Sequence, residues 1–350
     1  MRYFVTGATG FMGARVARML VDDGHDVVAL VRSSRQAALL EDSGMTPHVG
    51  DVTRKESMRA GMQGVDGIFH LAAWFKVGVR DLSPAYAVNV EGTRNVLELM
   101  ADLDVPLGVY TSTLGVNSDT GGHLVDESYR HAGPWLTEYE RSKWQAHYEV
   151  ALPMVQRGLP MIIAQPSLAY GPGDNGPAHD FLLDLLRRRL FVLPRQTAFS
   201  WVHVDDAARG HILAMQRGRP GETYFLAGPT HTVREVVEVV AALAGRPLPR
   251  VWPGPRGMRF MARCMRLVER VMPLPTMLAP EVLRSIAGTT YIGSSDKARH
   301  ELGWEARPMA AGMREALRAE ARALGLQDVL ARLESAPDAL TRASAAARTI

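Results

Sequence analysis

Tyr139 and Lys143 stand four residues apart in "YERSK", and in a helix that spacing sets a phenol and an ammonium side by side on one face. A phenol ionises near pH ~10, so it moves protons at neutral pH only with help, and a neighbouring positive charge that favours the phenolate is such help. Upstream, "VYTSTLGV" carries three hydroxyls, Thr111, Ser112 and Thr113, where an apolar run ends. Neighbours in a strand face opposite sides, so only one of Ser112 and Thr113 can reach a shared site. A hydroxyl to hold an oxygen, a phenol to give or take its proton and an ammonium to tune the phenol form a proton-transfer set.

A second cluster lies near the start. "TGATGFMG", Thr6 to Gly13, places three glycines three apart between an apolar run and a helical pattern. Gly7 permits a tight turn, Gly10 lets an anion approach the backbone, and Gly13 lets the helix pack against the strand. Backbone N–H groups and the positive helix end then meet at one point, which suits a pyrophosphate.

These groups need a scaffold that gathers strand ends. Short apolar runs ("YFVTG", "DVVALV", "GIFHLAA", "LGVYTST", "PMIIAQP") alternate with helical patterns at 11–23, 34–42, 84–103 and 136–157. Such alternation predicts parallel strands with crossover helices, an α/β fold with a doubly wound sheet. After Tyr170 the pattern turns to "GPGDNGP", a basic helix, one more strand-like run "SWVHV", and helices broken at "RPLPRVWPGP" and "VMPLPTMLAP". We therefore expect a dinucleotide-binding domain over 1–170, with contributions from about 199–226. A smaller, mostly helical substrate lobe should occupy 171–335, and 336–350 should be a loose tail.

With 350 residues, 47% of them hydrophobic and 22% charged, the chain can build a substantial core. Its formal charge of +3 comes from scattered arginines, a poor match to a nucleic-acid partner. One cysteine, Cys264, cannot close an internal disulfide, and no leader precedes the first strand, so a reducing cytoplasm is the expected compartment. No apolar run reaches the ~20 residues that span a bilayer. His203 with Asp205 and Asp206 reads as a helix cap rather than a metal site, and no metal is expected.

The glycine spacing departs from GxGxxG by one residue, and it resembles the extended branch of the short-chain dehydrogenase/reductase superfamily. "GDVT", "HLAA", "NVEGTRNVL", "VYTSTLGV", "YERSK", "PSLAYGPGD" and "WVHVDDAARGHILAM" follow in that branch's order across nearly the whole chain. The resemblance implies a Rossmann-type fold, a nicotinamide cofactor and hydride transfer at a carbonyl or carbinol carbon. It puts Gly7, Thr9, Gly10, Phe11, Met12 and Gly13 under the pyrophosphate. Asp51 and Val52 would lie at adenine, Leu71, Ala72 and Ala73 beneath the ribose, and Pro166 and Ser167 beside the nicotinamide. Lys143 would also hold the nicotinamide ribose, Tyr139 would exchange the proton, and Thr113, with Ser112 in reserve, would hold the substrate oxygen. Relatives often dimerise, and a homodimer through 84–103 and 136–157 is expected.

Strand 2 ends in Val31 and Arg32, with Arg35 nearby, where an acidic residue would grip both ribose hydroxyls. A guanidinium there favours a 2′-phosphate, hence NADP(H), with NAD(H) as the alternative. The sugar-nucleotide members resembled typically carry an Arg-Asp pair where this chain has Phe199-Ser200, and an asparagine where it has Gln165-Pro166-Ser167. The acid pair of the dehydratases is also missing after Thr113. Trp74, Phe75, Trp135, Tyr170, Phe181 and Phe199 predict an aromatic mouth for a hydrophobic carbonyl or alcohol, as in dihydroflavonol-reductase-like or hydroxysteroid-dehydrogenase-like members.

Two other readings stay open. One is a nucleotide-sugar epimerase with tightly bound NAD. The other is a non-catalytic NADP(H)-binding redox sensor, which would have no use for Tyr139 and Lys143. The segment 258–272 sets Met261, Cys264, Met265, Val268, Val271 and Met272 on one helical face with arginines on the other. That pattern suits a pliable cover over the substrate, a surface resting on a membrane, or plain packing.

Overall fold

A computed structural model describes residues 1–76, 79, 81–190, 192–274 and 278–335. The tail expected at 336–350 lies outside them. In chain order the strands are β1 (Arg2–Thr6), β2 (Asp26–Val31), β3 (Thr46–Val49), β4 (Gly67–His70), β5 (Gly108–Thr111) and β6 (Met161–Pro166). Then follow β7 (Leu168–Tyr170), β8 (Ala198–His203), β9 (Thr223–Leu226), β10 (Thr230–Thr232) and β11 (Thr290–Tyr291).

The large sheet has seven strands in the order β3-β2-β1-β4-β5-β6-β9, every pairing parallel. The order reverses between β1 and β4, and the strand ends align there, Thr6 beside His70 and Thr111 beside Ala164. A crevice at such a reversal is where open parallel sheets bind ligands.

Adjacent residues of one strand serve opposite faces, as a sheet covered on both sides requires. Val5 packs with Val16 and Leu20 of the helix Phe11–Asp22 and with Ile212 of Val204–Arg217. Phe4 packs with Val96 and Met100 of Gly92–Asp102 and with Val150. Each is fully buried, and such a side chain contributes about 1.5–3 kcal/mol. The expected helices 84–103 and 136–157 are each interrupted by a wider, i→i+5 stretch, at Tyr86–Glu91 and Ala146–Ala151. Both interruptions flank the crevice and carry residues used there.

The run "SWVHV" is a strand, but not of the large sheet. β8 pairs with β10, β11 and β7 in a second, four-stranded sheet, while β9 joins the large one. Helices Pro177–Leu186, Val233–Ala244, Met309–Ala323 and Gln327–Ser335 enclose a separate core around Val237, Val240, Leu317 and Leu333. Thr232 and Glu235 start the second of these with a reciprocal capping box.

Candidate active site

The glycine loop is shaped by backbone contact. Gly7 leaves β1 at a φ of +75°, and a Cβ there would lie 2.8 Å from the Ala72 nitrogen. A Cβ on Gly13 would lie 2.1 Å from the Gly7 carbonyl oxygen, so any side chain would push loop and helix apart. Gly10 donates to that same oxygen (2.8 Å) and begins the helix without a side-chain cap. The N–H groups of the first turn, beyond reach of any helical carbonyl, are offered to the open side of the loop. A pyrophosphate fits this cradle.

A cavity of about 1010 Å³ runs from this cradle along the strand ends. Thr9, Phe11 and Met12 line it with the three glycines, then Asp51 and Val52 after β3, Leu71 to Ala73 after β4, and Pro166 and Ser167 after β6. At the end of β2, Arg32 borders the cavity, exposed, and its guanidinium makes no hydrogen bond or ion pair among the described residues. Its neighbour on the wall is Gln36, which accepts from the Arg32 nitrogen (2.9 Å); Arg35 is not among the lining residues.

Thr113, Tyr139 and Lys143 all border this cavity. The three hydroxyls after β5 are sorted by what each side chain finds. Thr111 bonds His211 Nε2 (2.9 Å) on one side of the sheet, and Ser112 bonds His147 Nδ1 (2.8 Å) on the other. His211 Nδ1 faces the Ala207 carbonyl (2.7 Å) and must carry the proton, so Nε2 accepts from Thr111. Thr113 stands past the strand end, where its hydroxyl accepts from Gly115 N–H (3.1 Å), and Gln165 Nε2 donates to its carbonyl (3.1 Å). All three residues border the cavity, but the Thr111 and Ser112 hydroxyls are engaged by histidines, whereas among the described residues the Thr113 hydroxyl meets only a backbone N–H and Tyr139.

The helix Glu138–Gln145 opens with Thr137 as its cap. Burial pushes the Tyr139 phenol up to about 12, while a hydrogen bond from Thr113 pulls the other way. The expectation that Lys143 lowers this phenol is therefore not met in the protein alone. Lys143 is itself buried, without a counter-ion among the described residues, and desolvation takes it down to about 7. Its Nζ donates to the Thr111 carbonyl (2.8 Å) and the Tyr110 hydroxyl (3.2 Å) and lies 4.8 Å from the Tyr110 ring centroid.

Sequence reading missed the groups beneath. His70, fully buried, bonds Thr6 Oγ1 (2.7 Å) and Thr93 Oγ1 (3.1 Å) and stacks on Tyr110 (5.5 Å). Burial, with Lys143 nearby, takes it down to about 3, so it is neutral. Asn89 clamps Trp74, accepting from its N–H (2.7 Å) and donating to its carbonyl (3.0 Å), and donates to Ser142 as well (2.9 Å). Glu140 collects the hydroxyls of Ser118 and Tyr291 (2.8 Å each) and the Leu136 N–H (3.1 Å).

The profile of the NAD dependent epimerase/dehydratase family matches residues 3–227, from β1 through β9. The chain belongs to that family. A provisionally named dihydroflavonol 4-reductase of Synechocystis sp. is 34% identical over 71% of this chain and 74% of its own length. Sterol demethylase protein B of Methylococcus capsulatus is 31% identical over 87% and 93%. The crystal structure of gox2253 superposes with a TM-score of 0.79 at 30% identity, covering 92% of this chain and 98% of that one. The resemblance to extended short-chain dehydrogenase/reductases is borne out, and with it an oxidoreductase that uses a nicotinamide cofactor. A bound nicotinamide would exchange hydride with a substrate carbon.

The far wall of this epimerase/dehydratase-family cavity mixes aromatic rings with aliphatic residues such as Leu168, Leu193 and Val282. Trp74, Phe75, Phe181 and Phe199 border it, joined by Trp201 and Tyr291. Phe75 meets Tyr139 edge-on at 4.6 Å, and Phe199 stacks on Tyr291 at 5.3 Å. Two expected members are elsewhere. Trp135 packs on Trp144 (5.0 Å), and Tyr170 points into the smaller core against Trp201 and His203, because β7 turns it away from the mouth.

His203 caps its helix by accepting from Asp205 N–H. Glu315 joins His203 and Asp205 with ligating atoms within 4.8 Å. Arg307 already binds Glu315 (2.8 Å) and Arg15 binds Asp205 (3.1 Å).

Proposed function

We propose that the chain is an NADP(H)-dependent oxidoreductase acting on a carbonyl or secondary alcohol of a hydrophobic small molecule, with Thr113, Tyr139 and Lys143 as its catalytic set. The observation that carries this reading is that Thr113 and Tyr139 share one cavity with an aromatic and aliphatic wall. Arg32, Lys76 and Lys143 are the cations among the described lining residues. In this reading Arg32 serves the adenosine end and Lys143 serves Tyr139, so Lys76 is the one cation among the described lining residues left for a substrate diphosphate.

In this reading the Thr113 hydroxyl and the Tyr139 phenol donate to the substrate oxygen, and Tyr139 passes its proton as that oxygen gains charge. The Tyr139 phenol, pushed up to about 12 by burial, holds its proton at neutral pH, as the donor in a carbonyl reduction must before the transfer. Lys143, lowered to about 7 by burial, would in its charged form steady the phenolate left behind. Arg32 would grip a 2′-phosphate with two N–H donors.

The test is loss of reduced-nicotinamide absorbance with a panel of hydrophobic ketones and aldehydes, NADPH and NADH in parallel. Turnover faster with NADPH is expected. Silence with both, together with nicotinamide released only on denaturation, would transfer the protein to the epimerases.

A further inference from the structure

The helix Pro255–Val268 and the turn after it carry three stripes, one more than packing needs. Met258 and Ala262, with Met261 and Met265, meet Leu283, Ile286 and Ala287 on and just past the helix Pro280–Ser285, in a small core separate from the others. Away from that seam, Phe260 is 68% exposed, Leu267 63% and Val271 86%. With Cys264 these positions advance by four, three and four, one line along a helix. Arg256, Arg259, Arg263, Arg266 and Arg270 advance by three and four along the strip between them. None of the five makes an ion pair among the described residues.

Five arginines face a single acid, Glu269, within 255–272. Arg266 and Arg270 also border, with Arg284, a shallow basin of about 530 Å³ that includes Glu269 and Glu281. An exposed apolar line flanked by unpaired guanidiniums on long stems fits a surface that is greasy below and negatively charged above. A nucleic acid would leave the aliphatic Leu267 and Val271 unused, and a bilayer uses both stripes. Among the described residues no helix is long and apolar enough to cross a membrane, so contact would be at the surface.

We infer that this face docks the protein on an anionic lipid bilayer. The partner helix Pro280–Ser285, on which this helix packs, reaches the cavity through Val282, Ser285 and the following Ile286. Docking therefore brings the substrate wall next to the phase in which an apolar substrate dissolves. The inference does not depend on the catalytic reading, because lipid binding is measured without turnover.

The full chain is floated with vesicles of phosphatidylcholine alone and of equal parts phosphatidylcholine and phosphatidylglycerol. Binding to the mixed vesicles at least about tenfold stronger than to the neutral ones is expected. Phe260→Ser with Leu267→Ser and Val271→Ser, and separately Arg259→Gln with Arg263→Gln and Arg266→Gln, should each lose at least about tenfold of it. Both variants change exposed side chains, so melting temperature and NADPH affinity should match the parent. No binding to the mixed vesicles, or equal binding by either variant, overturns the inference. A parent dimer that the apolar variant converts to a monomer would instead give the face to a second copy of this chain.

Discussion

At one end of the cavity the wall is backbone, and at the other it is side chains, rings among them. Around Gly7, Gly10 and Gly13 side chains are excluded, with Cβ clearances down to 2.1 Å, so the shape is fixed by a turn packed on a strand. Around Phe199, Tyr291, Trp74 and Phe75 it is made by side chains from three separate stretches, held by stacking and by the buried acceptors Asn89 and Glu140. A backbone cradle suits a ligand that is always the same, and a side-chain wall can be changed one residue at a time. Substitutions should therefore separate by end: cofactor affinity from one, substrate preference from the other.

The largest effect should come from Gly13→Ala. The added carbon has no room beside the Gly7 carbonyl, and a shift of about 1 Å in the loop should cost about 100-fold in cofactor affinity, read by titration of protein fluorescence. Arg32→Glu should weaken NADPH about 10- to 100-fold and leave NADH within about threefold. Equal effects on both would place Arg32 outside phosphate recognition. Phe199→Ala opens the far wall and should raise KM for a hydrophobic ketone about tenfold, with cofactor affinity unchanged. A loss of cofactor affinity there would erase the contrast between the two ends.

Lys143→Met sharpens the contrast differently, through stability. Burial lowers the Lys143 pKa from 10.5 to about 7, so between those values the unfolded chain holds a proton that the folded one has released. Wild-type stability then rises with pH across that window. The methionine variant should be more stable by about 1–3 kcal/mol at pH 7 and below, an advantage that fades toward pH 10.5, while turnover is lost. Denaturant melts across that range check the sign, and a variant less stable at pH 7 would mean that Lys143 is a structural cation.

The cofactor end was legible in the sequence because its parts are local. Three glycines within one turn and a phenol four residues before an ammonium carry their geometry in their spacing. Strands of two or three residues carry no such period, as in β10 and β11, and β3 is an edge strand with Pro47 inside it. Tyr291 and Ile286 reach the cavity only through tertiary packing, and nothing near Tyr139 in the chain announces them. Trp135 and Tyr170 mislead for the converse reason, standing close to the motifs in sequence while Trp144 and the smaller core claim their rings. The buried support, His70 and Asn89, sits inside the quoted motifs "HLAA" and "NVEGTRNVL", but only the fold reveals its hydrogen bonds.

The central claim is that Tyr139 supplies the proton at a site that holds the cofactor without it. The most direct measurement is a single-turnover comparison of wild type and Tyr139→Phe, recording NADPH affinity and the rate of hydride transfer to a ketone that the wild type reduces. The predicted result is affinity within about threefold and transfer slower by at least about 100-fold. Transfer at the wild-type rate, or a loss matched by an equal loss of NADPH affinity, would contradict it.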